Sequence, residues 1–427
     1  VHVFKIEGRA RGPEYVRIVT SCYKEAVEAY NSGASMLKEN PAGALEKLYQ
    51  ALEISEELDY DGQETKLLAQ SLIPKAHQQL AMNFYRDKNL PETLDQLEKA
   101  RKTAKEYGDS VQRFGDVDSF FNNAPIDGVI IATPHYFHPE IAIKAFQHNL
   151  HVLVEKPAGV YTRQVREMNE AASQSDKVFG IMYNNRTNPV YQKVRDLVIS
   201  GELGEIKRTN WVITTWYRTQ RYYDSGGWRG NWAGEGGGVL LNQSPHQLDL
   251  WQWICGMPKK VRGFCHFGKY HDVEVEDDVT AYVEYENGAT GTFITTTGET
   301  PGTDRLEIAG DRGKIVVEDN KITFWRLREL ESVYNKSTSS TFGIPECWKC
   351  DVPYKGTTTG HAGITSNWVD SILKGTPLLA AGIEGIRGLE ISNAIYLSTW
   401  IDNWVQLPVD EELFYSKLQE MIKKSKK

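Results

Sequence analysis

Apolar positions along this chain change period as it proceeds. In residues 21–107 they recur at helical spacing: Val27, Tyr30, Ala34 and Leu37, then Leu45, Leu48 and Leu52. The stretch also echoes itself. Gly43–Ser55, GALEKLYQALEIS, is answered by Glu92–Ala104, ETLDQLEKARKTA, with Leu45, Leu48 and Ala51 matching Leu94, Leu97 and Ala100. A small-residue helix and a polar turn with Pro41 or Pro91 precede each copy. This predicts two helical hairpins in tandem, of tetratricopeptide-like pattern or of the general hairpin kind. Ahead of them, residues 1–20 read as two short strands, VHVFKI and YVRIV.

From Asp116 the pattern alternates. GVIIAT (Gly128–Thr133) is a continuous apolar run, as a strand buried on both faces requires. HPEIAIKAFQHN is an amphipathic helix, HVLV a strand, TRQVREMNEAASQS a helix and VFGIMY a strand. Such a βαβαβ run predicts parallel strands with right-handed crossovers, and ligands at the strands' carboxyl ends. Thr133-Pro134, Glu155-Lys156-Pro157 and Tyr183-Asn184 fall at those ends. A strand alone needs neither the charges nor the imide of Glu155-Lys156-Pro157. The motif fits a salt-bridged strand end, or a lysine aimed into a crevice.

Beyond about residue 200, β-branched and aromatic runs are broken by turn sequences such as Glu286-Asn287-Gly288. They predict a second, α+β domain with a mostly antiparallel, open sheet. Within it, Gly236-Gly237-Gly238 is expected to open one helix carrying Asn242, His246 and Asp249 near a single face. The resulting fold class is a partial Rossmann-like α/β unit (108–185), an inserted helical segment (21–107) and an α+β domain (186–427).

The 427 residues suffice for two or three domains. A net charge of −8 gives no general affinity for nucleic acid or anionic membrane. No apolar run reaches the roughly 18 residues of a membrane span, and no leader-like segment follows Val1, so a cytoplasmic location is expected. The five cysteines make no disulfide framework. Cys347-Trp348-Lys349-Cys350 lacks the second pair of a zinc site, and its context reads as loop, so no metal is expected.

The segments ATPHYFHPEIA, EKPAGV, YNNRTNP, GELGEIK, GGGVLLNQSPHQLDLWQWICGMP and GHAGITSNWVDSILKGTPLL resemble the Gfo/Idh/MocA oxidoreductases over residues 108 to 400. The resemblance implies oxidation or reduction of a sugar, sugar-derivative or cyclitol hydroxyl with NAD or NADP. It also implies a homo-oligomer formed through the outer sheet face. Carried over by position, Lys156 contacts the reacting hydroxyl and His246 is the general acid/base. Thr133, Pro134, His138, Glu155 and Lys156 line the cofactor crevice. Tyr183, Trp228, Arg229, Trp232 and Asn242 are substrate-side candidates.

Two features depart from that family. It often has Asp where this chain has Asn242. Its members also begin with a strand and a G-x-G-x-x-G turn, whose glycine positions here hold Gly8, Ala10 and Pro13. Without those glycines the pyrophosphate loses backbone donors, so weak dinucleotide binding is expected. The alternative reading is a weak or inactive oxidoreductase-like scaffold, or two genes joined artificially. In the scaffold, the helical repeats would bind a partner peptide or protein.

Overall fold

In the computed structural model the described residues are 3–7, 36, 40–46, 48 and 114–425. The chain divides into two units, Arg11–Ala124 and the remainder, Val1–Ala10 with Pro125–Lys427. In the smaller unit, residues 41–46 are helical. Asn40 Oδ1 accepts from Gly43 N at 3.0 Å, while Ala44 and Leu48 are fully buried. Helix α1 (Val117–Asn123) is capped by Asp116, whose carboxylate accepts from Ser119 N at 2.7 Å. The strand YVRIV and most of the helical echo, including Leu94 and Leu97, lie outside the described residues.

The larger unit contains two sheets. The first has the order β1 (Val3–Glu7), β2 (Gly128–Ala132), β3 (His151–Val154) and β4 (Phe179–Ile181). All three pairings are parallel. Helices α2 (Phe137–Gln147) and α3 (Thr162–Ser173) make the crossovers, as the alternating pattern predicts. Val129, Ile131, Val152, Leu153 and Val154 are completely buried, which explains why these strands are apolar on both faces. Gly128 is required by packing: a Cβ there would meet the Trp368 ring at 2.9 Å and the His151 carbonyl at 3.1 Å.

Helix α4 (Pro189–Ile199) leads into the second sheet. Its order is β12 (Cys347–Val352), β11 (Lys321–Leu327), β10 (Gly313–Glu318), β9 (Asp304–Gly310), β5 (Ile206–Ile213), β8 (Thr290–Thr296), β7 (Glu276–Glu284), β6 (Lys260–Phe267) and β13 (Val405–Gln406). Every neighbouring pair is antiparallel except β5 with β8. Between β5 and β6 lie α5 (Gln220–Asp224), α6 (Val239–Asn242) and α7 (Pro245–Cys255). Then come α8 (Glu331–Ser337), α9 (Gly360–Lys374), α10 (Gly385–Ile401) and α11 (Glu411–Lys424). Helices α7 and α10 cover the sheet's inner face. Trp251 of α7 stacks on Phe293 at 5.4 Å and donates to Thr209 Oγ1 at 3.0 Å. The outer face leaves Phe264 and Trp325 exposed.

Two local expectations are corrected. Cys347 and Cys350 stand on strand β12, paired across from Leu327 and Phe324, instead of in a loop. Both are free thiols. The helix after the glycine run is two helices, because Pro245 starts a new one as its first-turn residue. Asp249 lies with His246 on the second of these helices and is buried there. Its carboxylate receives Arg186, with Nε–Oδ2 at 2.8 Å and Nη2–Oδ1 at 2.6 Å. Both side chains are 1% exposed. Arg186 follows β4 in a 3-10 turn, Asn184–Thr187, so the pair ties the end of the parallel sheet to α7. Burial works against the Arg186 charge, but the Asp249 and Glu384 carboxylates outweigh it and push the pKa up.

Replacing Asp249 by Ala strands a buried guanidinium, which costs about 3–5 kcal/mol. Chemical unfolding should show a loss of that size. A loss under about 1 kcal/mol would mean the pair does not hold the fold.

Candidate active site

The carboxyl ends of β2, β3 and β4 carry the residues singled out from sequence. The β ladder runs one residue past each strand: Glu155 N donates to Ile131 O and Met182 N to Val154 O, both at 2.8 Å. These bonds fix Lys156 and Tyr183 at neighbouring strand ends. Lys156, half-buried and followed by a cis peptide to Pro157, donates from Nζ to the Asn242 carbonyl at 2.7 Å. Asn242 ends α6, and His246 lies in the first turn of α7 four residues later. The His246 ring stands edge-on to the Tyr183 ring at 6.3 Å. Lys156 thus contacts Asn242, and Tyr183 contacts His246, where the parallel sheet meets the second domain.

The glycine run has a steric cause. Gly236 has φ +80°, and a Cβ on Gly238 would sit 1.9 Å from the Glu276 carbonyl. Close approach lets the Glu276 side chain, fully buried, accept from Gly238 N (2.8 Å), Leu240 N (2.8 Å) and Tyr396 Oη (2.7 Å). This carboxyl holds the first turn of α6, and therefore the Asn242 carbonyl that receives Lys156. Burial pushes its pKa up to about 7, against the pull of the three donors.

Several candidates have different placements from those expected. His138 is not a crevice wall. It is completely buried, with Nδ1 at 2.7 Å from Pro157 O and Nε2 at 2.7 Å from Thr133 O. Both partners are backbone carbonyls. The ring staples the β2 end to the loop carrying Lys156. Trp232 is core: 2% exposed, it donates to Glu274 O and packs on Tyr396 and Trp400. Tyr183 is 2% exposed and donates to Gly385 O at 3.3 Å, so it supports His246 from behind. Thr133 Oγ1 is buried at the end of β2 without a hydrogen-bond partner, and Pro134 is half-buried beside it. Glu155 is half-buried, with Oε1 at 3.9 Å from His361 Nε2.

On the far side, Trp228 meets His135 edge-on at 5.6 Å, and the Arg229 guanidinium lies 4.5 Å from both the Trp228 and Tyr222 rings. Sequence reasoning missed three residues here. Tyr222 Oη takes bonds from Arg229 (2.6 Å), Gln243 (3.1 Å) and Asn242 (3.3 Å). Glu235, inside the glycine-rich GEGGG, accepts from Gly230 N and from the Asn242 side-chain amide. His135 bonds the Glu235 carbonyl at 3.1 Å. The only signal available was proximity to the glycine run. Among the described residues no group of three His, Cys, Asp or Glu could hold a metal, and no helix is long and apolar enough to cross a membrane.

Comparison with known proteins gives the ancestry of this site. Residues 73–183 match the model of the oxidoreductase family, NAD-binding Rossmann fold, and residues 191–316 match the GFO/IDH/MocA C-terminal domain. This chain carries both domains of a Gfo/Idh/MocA oxidoreductase. Residues 1–62 match a model of peptidase family U32. D-glucoside 3-dehydrogenase of Escherichia coli is 28% identical over 209 residues, covering 45% of this chain and 58% of that protein. The 1-carboxy-3-chloro-3,4-dihydroxycyclohexa-1,5-diene dehydrogenase of Comamonas testosteroni is 28% identical over 177 residues, covering 41% and 43%. The chain thus spans about half the length of these two curated relatives. The WlbA dehydrogenase of Bordetella pertussis, solved with NADH and UDP-GlcNAcA, superposes with TM-score 0.61 at 25% identity over 73% of this chain and 89% of that one. The family match therefore begins inside residues 21–107, the stretch read from sequence as helical hairpins.

Glu276 makes stability pH-dependent in this Gfo/Idh/MocA chain. The folded pKa of about 7 exceeds the ordinary 4.5, so the folded state holds a proton that the unfolded state releases. The contribution is complete below about pH 4.5 and is lost as pH rises through 7, by on the order of 3 kcal/mol. Thermal unfolding from pH 5 to 8 should show this slope in the wild type and a flatter one in Glu276→Gln. Parallel slopes in the two proteins would refute the assignment.

Proposed function

We propose that the chain is an NAD- or NADP-dependent dehydrogenase acting on a hydroxyl of a sugar, sugar derivative or cyclitol. The observation that carries this is the Lys156 ammonium, bonded to the last carbonyl of the glycine-run helix four residues before His246. The named activities of the relatives support the substrate class.

The residues at the strand ends fit a nicotinamide. Thr133 offers a buried hydroxyl without a partner, and Pro134, Glu155 and Lys156 complete the edge. A bound nicotinamide would supply the hydride acceptor. The chain's own groups supply the rest. Loss of hydride from a carbinol carbon requires loss of the hydroxyl proton. His246, whose class titrates near neutrality, takes that proton. Lys156 stabilises the negative charge developing on the same oxygen. Asn242 and Glu276 act on Lys156 by placing the carbonyl that orients it.

The cofactor's phosphate end is the weak point. Two of the three glycines of the usual turn are replaced, and each charge-assisted bond lost removes about 1.5–3 kcal/mol. The helical segment 21–107 is proposed as a peptide-binding repeat, the exposed face of the large sheet as a contact between copies, and the cytoplasm as the location.

Two measurements test the reading. His246→Gln and Lys156→Met should each lower kcat by about 10²–10⁴, with little change in cofactor affinity for the His246 variant. An unaltered kcat in either variant would remove that residue from the mechanism. Calorimetry with NADH and NADPH should give dissociation constants well above micromolar, about two to four powers of ten weaker than with an intact turn. Micromolar binding of either would show that a phosphate site exists without the glycines.

A further inference from the structure

Two guanidinium groups beside Tyr222 have no salt bridge among the described residues. Arg229 is half-buried between the Trp228 and Tyr222 rings, and its Nη1 donates to Tyr222 Oη at 2.6 Å. Arg218 is half-buried on the same phenol, its guanidinium carbon 5.1 Å from the Tyr222 ring. Its Nη1 donates to the Tyr217 carbonyl at 3.0 Å, while its Nε is buried with no acceptor. Neither arginine makes an ion pair among the described residues. The nearby acids are committed elsewhere. Glu235 accepts from Gly230 N and Asn242. Asp277 accepts from the backbone N–H groups of Lys269, Tyr270 and His271, and from the His271 ring. Asp224 accepts from Gln220.

Tyr222 adds a second, independent observation. Its oxygen accepts from Arg229 Nη1 at 2.6 Å and stands 3.1 Å from the Gln243 amide and 3.3 Å from the Asn242 amide. The hydroxyl stands one hydrogen bond away from Asn242, whose carbonyl receives Lys156. A half-buried guanidinium loses hydration without gaining a counter-charge, and planar oxyanions match its fork of donors. An oxyanion arriving here would meet two guanidiniums and a phenol hydroxyl.

We infer that the substrate of this site is an acidic sugar or cyclitol, whose carboxylate or phosphoryl group is recognised by Arg218, Arg229 and the Tyr222 hydroxyl. The inference rests on the dehydrogenase reading and names its substrate class.

Calorimetry on the full chain, with NADH present, would compare glucose, glucuronate and glucose 1-phosphate. At least one acidic sugar should bind about tenfold to a hundredfold more tightly than glucose. Which of the two does so identifies the oxyanion as carboxylate or phosphoryl. In Arg229→Gln and in Arg218→Gln the preference should shrink about tenfold, and Arg229→Lys should restore part of it. Unfolding midpoints matching the wild type's would show that the variants are folded. Equal binding of all three sugars overturns the inference, as does a preference that survives both substitutions. NADH formation is read separately. An acid preference with no nicotinamide reduction by any sugar would refute the dehydrogenase reading alone. Turnover of glucose without acid preference would refute this inference alone.

Discussion

The Arg186–Asp249 pair is the contact on which the site's geometry depends. Arg186 lies three residues after Tyr183, and Asp249 three residues after His246. One bidentate bond therefore sets the loop after β4 against helix α7, and with it the Tyr183 ring against the His246 ring. Two apolar residues could fill the same volume at no cost in stability. They would lack the two parallel, directional bonds that fix register. A lysine could not replace the arginine, because a single ammonium cannot span both carboxylate oxygens while also reaching Glu384 and the Leu379 carbonyl.

Around that pair the site is assembled from buried polar groups that act on backbone. His138 bridges the Thr133 and Pro157 carbonyls, so the two strand ends cannot move independently. Glu276 grips the amides of the glycine helix, and Glu235 grips Gly230 and the Asn242 amide. Each of these groups would be costly if left unpaired, and each makes at least one bond to main chain at a loop or helix end. Rigidity at the reacting position thus comes from hydrogen bonds to main chain. An ammonium directed at a carbonyl oxygen is positioned by such a frame more tightly than by packing alone.

The parallel sheet was legible because strands buried on both faces must be apolar throughout, and GVIIAT, HVLV and VFGIMY are. Strand-end positions followed from topology, so Thr133, Lys156 and Tyr183 could be placed before any contact was known. The split between α6 and α7 was missed because helical periodicity continues across Gln243–Ser244; only Pro245, read as a first-turn residue, marks the new start. Trp232 and His138 sit inside motifs that carry chemistry, and position in a motif does not distinguish a residue that touches a ligand from one that holds the residue that does. Tyr222 and Glu235 were invisible for a related reason. Their roles arise from contacts across the second domain, between segments whose spacing in sequence has no period.

The amino-terminal part presents a different physical problem. Strand β1 pairs in register with β2, Val3 against Gly128 and Glu7 against Ala132, so the parallel sheet has a neighbour for β2. A dinucleotide's pyrophosphate is held by main-chain N–H groups at such a strand end, and those groups are independent of side-chain identity where the backbone can approach closely. Ala10 still has an N–H but brings a Cβ, whereas Pro13 has no N–H to give. The loss is therefore unequal. One position is impaired by bulk, which a small shift of backbone can relieve, and the other by the absence of a donor, which no rearrangement of that residue restores.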